Sequence, residues 1–269
     1  MNKEKYFEGH KFFMQHPKGY RIFISKKEIE MNDEYADGDL YTVDITHSFF
    51  HKARVESTIH LIENCFDNKQ SFNLLDIGCG KGYITNQVKN RFPNAEISAL
   101  DYSLAAIDFA FDNFKNIDFI VADAYNLPYS DHYFDVIVCN NIWEHVPDPL
   151  NMLKEIMKVL KKNGYLIIST PSRYRLDNLL RIIRGKLSVF MSNTHITEYT
   201  VRQVIEQLQY RKFRTIQVYS RKNYEINGIK TLIRFLIIRP TLKFFFKITS
   251  VSPHTLDSTC YFLAINEND

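Results

Sequence analysis

The stretch from Phe72 to Gly82, with the sequence FNLLDIGCGKG, decides the fold of this chain. Its first six residues are mostly apolar, as is typical of a strand buried in a parallel sheet. Three glycines follow at alternate positions, Gly78, Gly80 and Gly82, so the strand must end in a tight turn. An amphipathic stretch then continues to Phe92. A strand, a glycine turn and a helix in this order predict the start of a βαβ unit.

The rest of the chain continues this alternation. Further apolar runs predict strands at residues 95–100, 117–121, 134–139, 165–169, 213–218 and 259–265. Ser103 is a predicted N-cap, and Thr200 to Gln203 is a predicted capping box. Pro149 to Leu160 is predicted to be a helix that Gly164 ends. Such βαβ connections are right-handed, so the predicted fold class is α/β, a doubly wound Rossmann-like sheet that is mostly parallel, with helices on both faces.

Composition divides the chain into two regions. Residues 1–70 mix polar and aromatic side chains, and we expect them to form an N-terminal helical cap that helps to bind the acceptor, with its best helix over 45–66. Residues 71–269 form the sheet domain. Within it, residues 221–258 are apolar and basic and are predicted to be a helical insertion before the last strand.

Overall composition places the protein among ordinary globular chains. It has 269 residues, of which 45% are hydrophobic and 24% charged, and its net charge of +3 is too small to indicate a nucleic-acid surface. Its four cysteines form no CxxC pair: Cys65, Cys79, Cys139 and Cys260. With no apolar leader or spanning run, the expected location is the reducing cytoplasm.

Acidic residues follow the strands where a ligand would bind. Asp101 ends the second strand, 25 residues after Asp76, and a carboxylate there can accept both hydroxyls of a ribose. Asp123 and Ala124 follow the third strand and suit the exocyclic amine and the ring of an adenine. A glycine loop alone can be a flexible turn and nothing more, but these features together indicate a site for adenosine.

The charge beside the loop indicates which adenosine compound binds. The spacing is G-x-G-x-G, whereas a dinucleotide site has G-x-G-x-x-G. Asp76 would repel a diphosphate but suits a cation. S-adenosylmethionine carries a sulfonium and an ammonium group and no phosphate, so it is favoured over NAD, which stays as an alternative.

Five segments carry a resemblance to a known family: Leu74 to Gly82, Leu100 to Ser103, Asp123 to Tyr129, Asn140 to Val146 and Glu155 to Pro171. They resemble the motifs of the class I S-adenosylmethionine-dependent methyltransferases, in particular the small-molecule group that includes the quinone-biosynthesis O-methyltransferases. The resemblance is dense over residues 72–220. It implies a seven-stranded sheet whose last strand is antiparallel.

The resemblance also implies which residues bind the methionine part of the cofactor. Gly78 and Gly80 should contact the aminoacyl group through their backbone, with Cys79 between them in the same loop. Asp76 should lie near the ammonium group. Asn140 should contact the methionine part, partly through its carbonyl.

The same comparison assigns the adenosine part. Asp101 should hold the ribose, and Tyr102 should flank the adenine. Asp123 and Ala124 should recognise the adenine edge. Arg54 lies on a helix before the first strand, where it either pairs with the cofactor carboxylate or is an ordinary surface arginine.

Two histidines are candidate catalytic bases. Methyl transfer from a sulfonium is an in-line displacement that depends mainly on positioning, but a hydroxyl acceptor must also lose a proton. His145 follows the fourth strand and should face the cleft, although a packing role is open. His195 is the second candidate, or a loop histidine bonded to backbone. His47 and His51 have the spacing of metal ligands but are interpreted as one face of a helix, and no metal is expected.

The expected function is methyl transfer to a small or lipid-like acceptor, with oxygen as the favoured acceptor atom. The alternatives are a non-catalytic or membrane-associated cofactor-binding protein of the same fold and, less favoured, an NAD-dependent enzyme. DNA is not an expected partner, because the segment Asn140 to Trp143 lacks the prolines of the base-amine methyltransferases. Residues 229–249 are basic and apolar, so they either cover the active site, which is favoured, or contact a membrane peripherally. The oligomeric state stays open.

Overall fold

A computed structural model describes residues 5, 14–25, 27, 49–221, 236–237, 240–242, 244, 254 and 256–267. One mixed β-sheet runs through these residues. Its strands are β1 (Met14–Gln15), β2 (Arg21–Ile22), β3 (Asn73–Ile77), β4 (Glu96–Asp101), β5 (Asp118–Val121), β6 (Phe134–Asn140), β7 (Leu160–Pro171), β8 (Phe213–Tyr219) and β9 (Thr259–Asn266).

The strand order is β1-β2-β5-β4-β3-β6-β7-β9-β8. The strands from β2 to β7 in this order are parallel, whereas β9 is antiparallel to both β7 and β8. The predicted α/β class and the antiparallel last strand are confirmed. The expected count of seven strands was wrong, because the short antiparallel pair β1 and β2 extends the sheet beyond β5. Strands of two residues are too short to show a periodic pattern, and only their pairing reveals them.

Helices pack on both faces of the sheet. In the described part of the chain they are α1 (Phe49–Glu63), α2 (Tyr83–Arg91), α3 (Leu104–Asn113), α4 (Pro149–Val159), α5 (Leu176–Ile183) and α6 (Val201–Tyr210). The N-cap at Ser103 and the capping box at Thr200 and Gln203 are confirmed. The sequence reasoning did not predict α5. Among the described residues, none of the helices combines the length and the hydropathy that a membrane-spanning segment needs.

Gly164 does not end α4, contrary to the prediction. The helix ends at Val159 because Leu160 already pairs with Phe134 in the sheet. Gly164 lies inside β7, where an added Cβ atom would be 2.8 Å from the carbonyl oxygen of Lys161. Glycine is therefore needed here because the strand leaves no room for a side chain.

The core consists of apolar layers on the two sides of the sheet. Along β3, Leu75 and Ile77 pack in the layer with α4 and α6, whereas Leu74 packs in the layer with α1 and α2. Successive side chains of a strand point to opposite faces, so a strand covered on both faces is apolar throughout. Asp76 is the one acidic residue of β3, and it is buried.

The two outer regions are described only in part. In residues 1–70, the structure shows the β1–β2 hairpin and α1, which lies within the predicted helix 45–66. Most of the insertion 221–258, and with it most of the segment 229–249, lies outside the described residues. His47 also lies outside them, so the His47 and His51 pair is not tested.

Candidate active site

The glycine loop between β3 and α2 lies at the carboxyl edge of the sheet. Gly78, Gly80 and Gly82 have φ angles of 73°, 53° and 76°, in the left-handed region that favours glycine. The N–H of Gly78 donates to the carbonyl of Leu100 at 2.9 Å, which ties the loop to the end of β4. An added Cβ atom on Gly78 would lie 2.8 Å from Cδ1 of Ile142. The turn needs glycine for its conformation and, at Gly78, also for its packing.

Asp101 connects the glycine loop to the end of β4. Its Oδ2 accepts the N–H of Gly80 at 2.7 Å, and its Oδ1 accepts the N–H of Ser103 at 3.0 Å. Tyr102 and Cys79 are half-buried and pack against the apolar cluster beneath α3. Burial raises the pKa of the Cys79 thiol, so this cysteine is a packing residue in its neutral form. The carboxylate is thus held in one orientation at the edge of the cleft.

The end of β5 brings a second carboxylate to the same edge. Val121 pairs with Asp101 in the parallel register, and Asp123 follows two residues later. Asp123 accepts the N–H of Tyr125 at 2.9 Å, and Ala124 is 9% exposed. The loop, Asp101 and Asp123 therefore lie along one edge, as the βαβ topology predicts.

Three buried polar atoms near the loop have no hydrogen-bond partner among the described residues. They are one acceptor, Oδ1 of Asp76, and two donors, Nδ2 of Asn140 and Nε of Arg54. A buried polar group without a partner is costly, so such a set indicates a ligand with complementary groups. An α-amino acid moiety fits, because its ammonium group donates and its carboxylate accepts.

The unpartnered groups are held in place by their neighbours. Oδ2 of Asp76 accepts the hydroxyl of Thr85 at 2.6 Å. Oδ1 of Asn140 accepts the hydroxyls of Thr58 at 3.2 Å and Ser169 at 3.1 Å, so the amide nitrogen must point away from both. Thr58 lies on α1, as does Arg54. The helix before the first strand thus contributes to the site, which favours the binding role of Arg54 over the surface role.

Burial changes the acidity of Asp76. It raises the pKa of this carboxyl to about 7, helped by the negative charge of Asp101. The hydroxyl of Thr85 and the charge of Arg54 oppose the shift. A bound ammonium group would favour the ionised form, so ligand binding and ionisation of Asp76 should be coupled.

The two candidate bases lie together, although 50 residues separate them. The rings of His145 and His195 are 5.0 Å apart and perpendicular. Glu144 is beside them, and one ligand atom from each of the three side chains lies within 4.8 Å of the others. Glu144 and His145 follow the end of β6 shortly after Asn140, and His195 comes from the loop between α5 and α6.

A buried ion pair positions His195. Its Nδ1 is 3.0 Å from Oε1 of Glu198, and the same oxygen accepts the N–H of Met191. The other oxygen of Glu198, Oε2, pairs with Arg175. Burial alone would raise the pKa of Glu198, but His195, Met191 and Arg175 outweigh it, so the pKa lies below its usual value. Since an ionised carboxylate only accepts, His195 donates from Nδ1 and keeps Nε2 for the cleft.

Sequence reasoning missed Glu144, Glu198 and Thr58. Glu144 directly precedes a candidate base, and Glu198 follows another by three residues. These spacings could have pointed to the two acids. No sequence pattern could have pointed to Thr58, because its role depends on α1 packing against the end of β6.

A Rossmann-like sheet with a glycine loop and strand-end acids is typical of proteins that bind a nucleoside-containing ligand. The family model described as "Methyltransferase domain" matches residues 68–219, more than half of the chain. The chain therefore belongs to the methyltransferase domain family, and the resemblance stated from the motifs is confirmed.

Characterised relatives and solved structures agree with this family. The chain is 31% identical over 121 residues to malonyl-[acyl-carrier protein] O-methyltransferase of Bacillus anthracis, covering 44% of this chain and 45% of that protein. It is 33% identical over 151 residues to the mitochondrial ubiquinone biosynthesis O-methyltransferase of Schizosaccharomyces pombe, covering 52% of each. The chain thus spans about half the length of these relatives.

A solved complex contains a chain of similar fold. It joins the Trm112 methyltransferase activator of Haloferax volcanii to a putative methyltransferase, with a TM-score of 0.58 and 14% identity, covering 81% of this chain and 91% of that one. At this identity the similarity shows the fold alone.

Proposed function

We propose that this chain transfers the methyl group of S-adenosylmethionine to an oxygen atom of a small or lipid-like acceptor. One observation carries the proposal: the unpartnered atoms of Arg54, Asp76 and Asn140 beside the glycine loop match an amino acid group. The names of both relatives specify O-methyl transfer, which favours oxygen as the acceptor atom.

Each end of the cofactor has candidate partners. When bound, S-adenosylmethionine supplies an electrophilic methyl group on a sulfonium. Asp76 binds the ammonium group, Arg54 and the amide of Asn140 bind the carboxylate, and the backbone of Gly78 and Gly80 lies along the aminoacyl chain. The adenosine end is bound by Asp101, Tyr102, Asp123 and Ala124.

His145 and His195 are the proposed catalytic residues for the acceptor. His145 follows the strand end that carries Asn140, and His195 reaches the same place from the loop between α5 and α6. A hydroxyl placed between them and the methyl group would be oriented for in-line attack, and positioning of this kind supplies about 7–11 kcal/mol in favourable cases.

The acceptor site is proposed to involve the two outer regions. We assign residues 1–70 to an acceptor-binding region and residues 71–269 to the methyltransferase domain. The segment 229–249 is proposed as a cover that makes the pocket apolar, with peripheral membrane contact as the other outcome. Co-sedimentation of the full chain with liposomes distinguishes them, because a pure cover leaves the protein in the supernatant.

Calorimetry with S-adenosylhomocysteine, S-adenosylmethionine and NAD tests the proposal. The first two are expected to bind with one site per chain, and NAD is not expected to bind. Transfer of labelled methyl from the cofactor to a hydroxyl compound in a lipid extract then tests turnover. Binding of NAD alone, or of none of the three, would contradict the proposal.

Cofactor binding is expected to strengthen with pH because of Asp76. Below about pH 7 this carboxyl is neutral and above it is ionised, whereas the amine of S-adenosylhomocysteine is protonated throughout. The affinity should rise by up to about tenfold per pH unit between about pH 5.5 and about pH 7, then level off.

The stability of the ligand-free protein should change in the opposite direction. Burial raises the pKa of Asp76 in the folded state, so stability is lost as pH rises towards 7. In an Asp76→Asn variant, calorimetry should show weaker binding with no slope in this range. A wild-type affinity that is independent of pH would exclude the ammonium contact.

A further inference from the structure

Glu144 is a buried carboxylate that has no lysine or arginine partner among the described residues. It is 1% exposed, and its two oxygens accept the amide of Asn141 at 2.9 Å and the hydroxyl of Thr170 at 3.0 Å. In the described part of the chain, no lysine or arginine forms an ion pair with it. Burying a carboxylate is costly when only neutral donors compensate it, so a positive charge at this place would be stabilising.

Two imidazoles meet this carboxylate from different parts of the chain. One ligand atom from each of Glu144, His145 and His195 lies within 4.8 Å of the other two. Ligand atoms that bind one metal ion at about 2.0–2.2 Å in a tetrahedral site are separated by about 3.3–3.6 Å. Small side-chain rotations would therefore bring the three groups around a single ion.

The surroundings prepare His195 to act as a ligand. Glu198 accepts its Nδ1–H and is itself held by Arg175. In the neutral imidazole with this tautomer, the lone pair of Nε2 is the one that binds a metal ion. The backbone N–H of Ile196 donates to the carbonyl of Glu144 at 2.9 Å, so the loop that carries His195 is fastened to the turn that carries Glu144. A carboxylate behind a histidine is the usual support of a metal-binding imidazole.

We infer that Glu144, His145 and His195 bind one divalent transition-metal ion. Two imidazoles and one carboxylate suit Zn²⁺ and its first-row neighbours, whereas Mg²⁺ prefers oxygen ligands alone. His145 is partly exposed, so the ion would keep an open coordination position towards the cleft.

This inference rests on the proposed function and specifies its acceptor. The acceptor is a hydroxyl compound whose oxygen binds the ion and loses its proton to solvent, since a bound cation lowers the pKa of such a group. That oxygen forms the new O–CH₃ bond as the S–CH₃ bond breaks, and the sulfonium becomes a neutral thioether. The two histidines then act as ligands, and no separate base is needed.

The inference also replaces the expectation, drawn from the sequence, that the chain binds no metal. That expectation considered the spacing of His47 and His51 and the lack of a carboxylate set for magnesium at the end of the fourth strand. His195 comes from a loop 50 residues further along, and only the fold brings it to Glu144.

Metal titration of the full chain tests the inference. The protein is stripped with a chelator and titrated with Zn²⁺, Mn²⁺ and Mg²⁺ in separate calorimetric experiments. We expect one Zn²⁺ per chain and weak or no binding of Mg²⁺. Glu144→Gln and His195→Gln should each lower the Zn²⁺ affinity at least about 100-fold, because even outer partners of a metal site contribute 10–100-fold.

A matched histidine variant and a spectroscopic readout complete the test. His60→Gln is the control, since this ring packs on Tyr219 at 4.9 Å and should leave the affinity unchanged. Substitution with Co²⁺ should give visible absorption bands of a nitrogen-ligated site, and these bands should disappear in His145→Gln. This spectrum of the unmodified chain decides the matter even where a variant fails to fold.

Two results would overturn the inference. The first is that the titration shows no stoichiometric Zn²⁺ site and the Co²⁺ sample shows only the spectrum of the hydrated ion. The second is that the Glu144→Gln and His195→Gln variants fold and bind the metal with unchanged affinity. S-adenosylhomocysteine binding is measured on the same samples. If that compound binds and Zn²⁺ does not, the metal site fails and the proposed function stands; the reverse result rejects the proposed function.

Discussion

An Asp101→Ala variant is expected to bind S-adenosylhomocysteine on the order of 100-fold more weakly than the unmodified chain, or too weakly for calorimetry. The carboxylate accepts N–H groups of Gly80 and Ser103, which fixes its orientation for the ribose hydroxyls. A hydrogen bond to a charged group contributes about 1.5–3 kcal/mol, so losing two ribose contacts costs about 3–6 kcal/mol. Each 1.4 kcal/mol corresponds to about tenfold in affinity.

The control for this variant lies on the same strand. Glu96 begins β4 at the opposite edge of the sheet and is exposed, so Glu96→Ala should bind the compound as the unmodified chain does. Asp101→Asn removes the charge but keeps one oxygen that can accept a backbone N–H. Comparing it with Asp101→Ala therefore separates the effect of losing the charge from the effect of losing the loop conformation. A folded Asp101→Ala protein with an affinity within about threefold of the unmodified one would remove Asp101 from the site.

A Gly78→Ala variant is expected to lower the free energy of unfolding by about 2–5 kcal/mol. Part of this is the left-handed backbone at φ 73°, which costs a residue with a Cβ atom about 1–2 kcal/mol. The rest is overpacking, typically about 1–3 kcal/mol, because the new atom would lie 2.8 Å from Cδ1 of Ile142. Relief of this clash would move the turn after β6, so cofactor affinity should fall as well.

Gly185→Ala separates the two contributions. Gly185 has a φ of 70°, almost the same as Gly78, but an added Cβ atom there meets nothing within 4 Å. Its substitution should cost only the backbone strain, about 1–2 kcal/mol, and leave cofactor affinity unchanged. Urea unfolding of the two variants measures the difference. Equal destabilisation would show that the contact with Ile142 has no energetic weight.

Local sequence patterns were sufficient to predict a structural element where its own residues satisfy its hydrogen bonds and supply its buried side chains. The apolar runs of β3, β4 and β6, the cap at Ser103 and the strand-end acids were all predicted within a residue or two. Gly164 misled the prediction, because a glycine after a helix usually marks its end. Here the sheet pairing of Leu160 overrode that local preference.

The sequence by itself determined the βαβ order, the glycine turn and the position of Asp101 and Asp123 on one edge, since parallel strands place all their carboxyl ends together. Only the tertiary structure decided that the β1–β2 hairpin extends the sheet and that Thr58 supports Asn140. It also decided that His195 meets Glu144 and His145. These contacts join segments far apart in the chain, and the free energy that selects them comes from packing whole elements together, which no local pattern records.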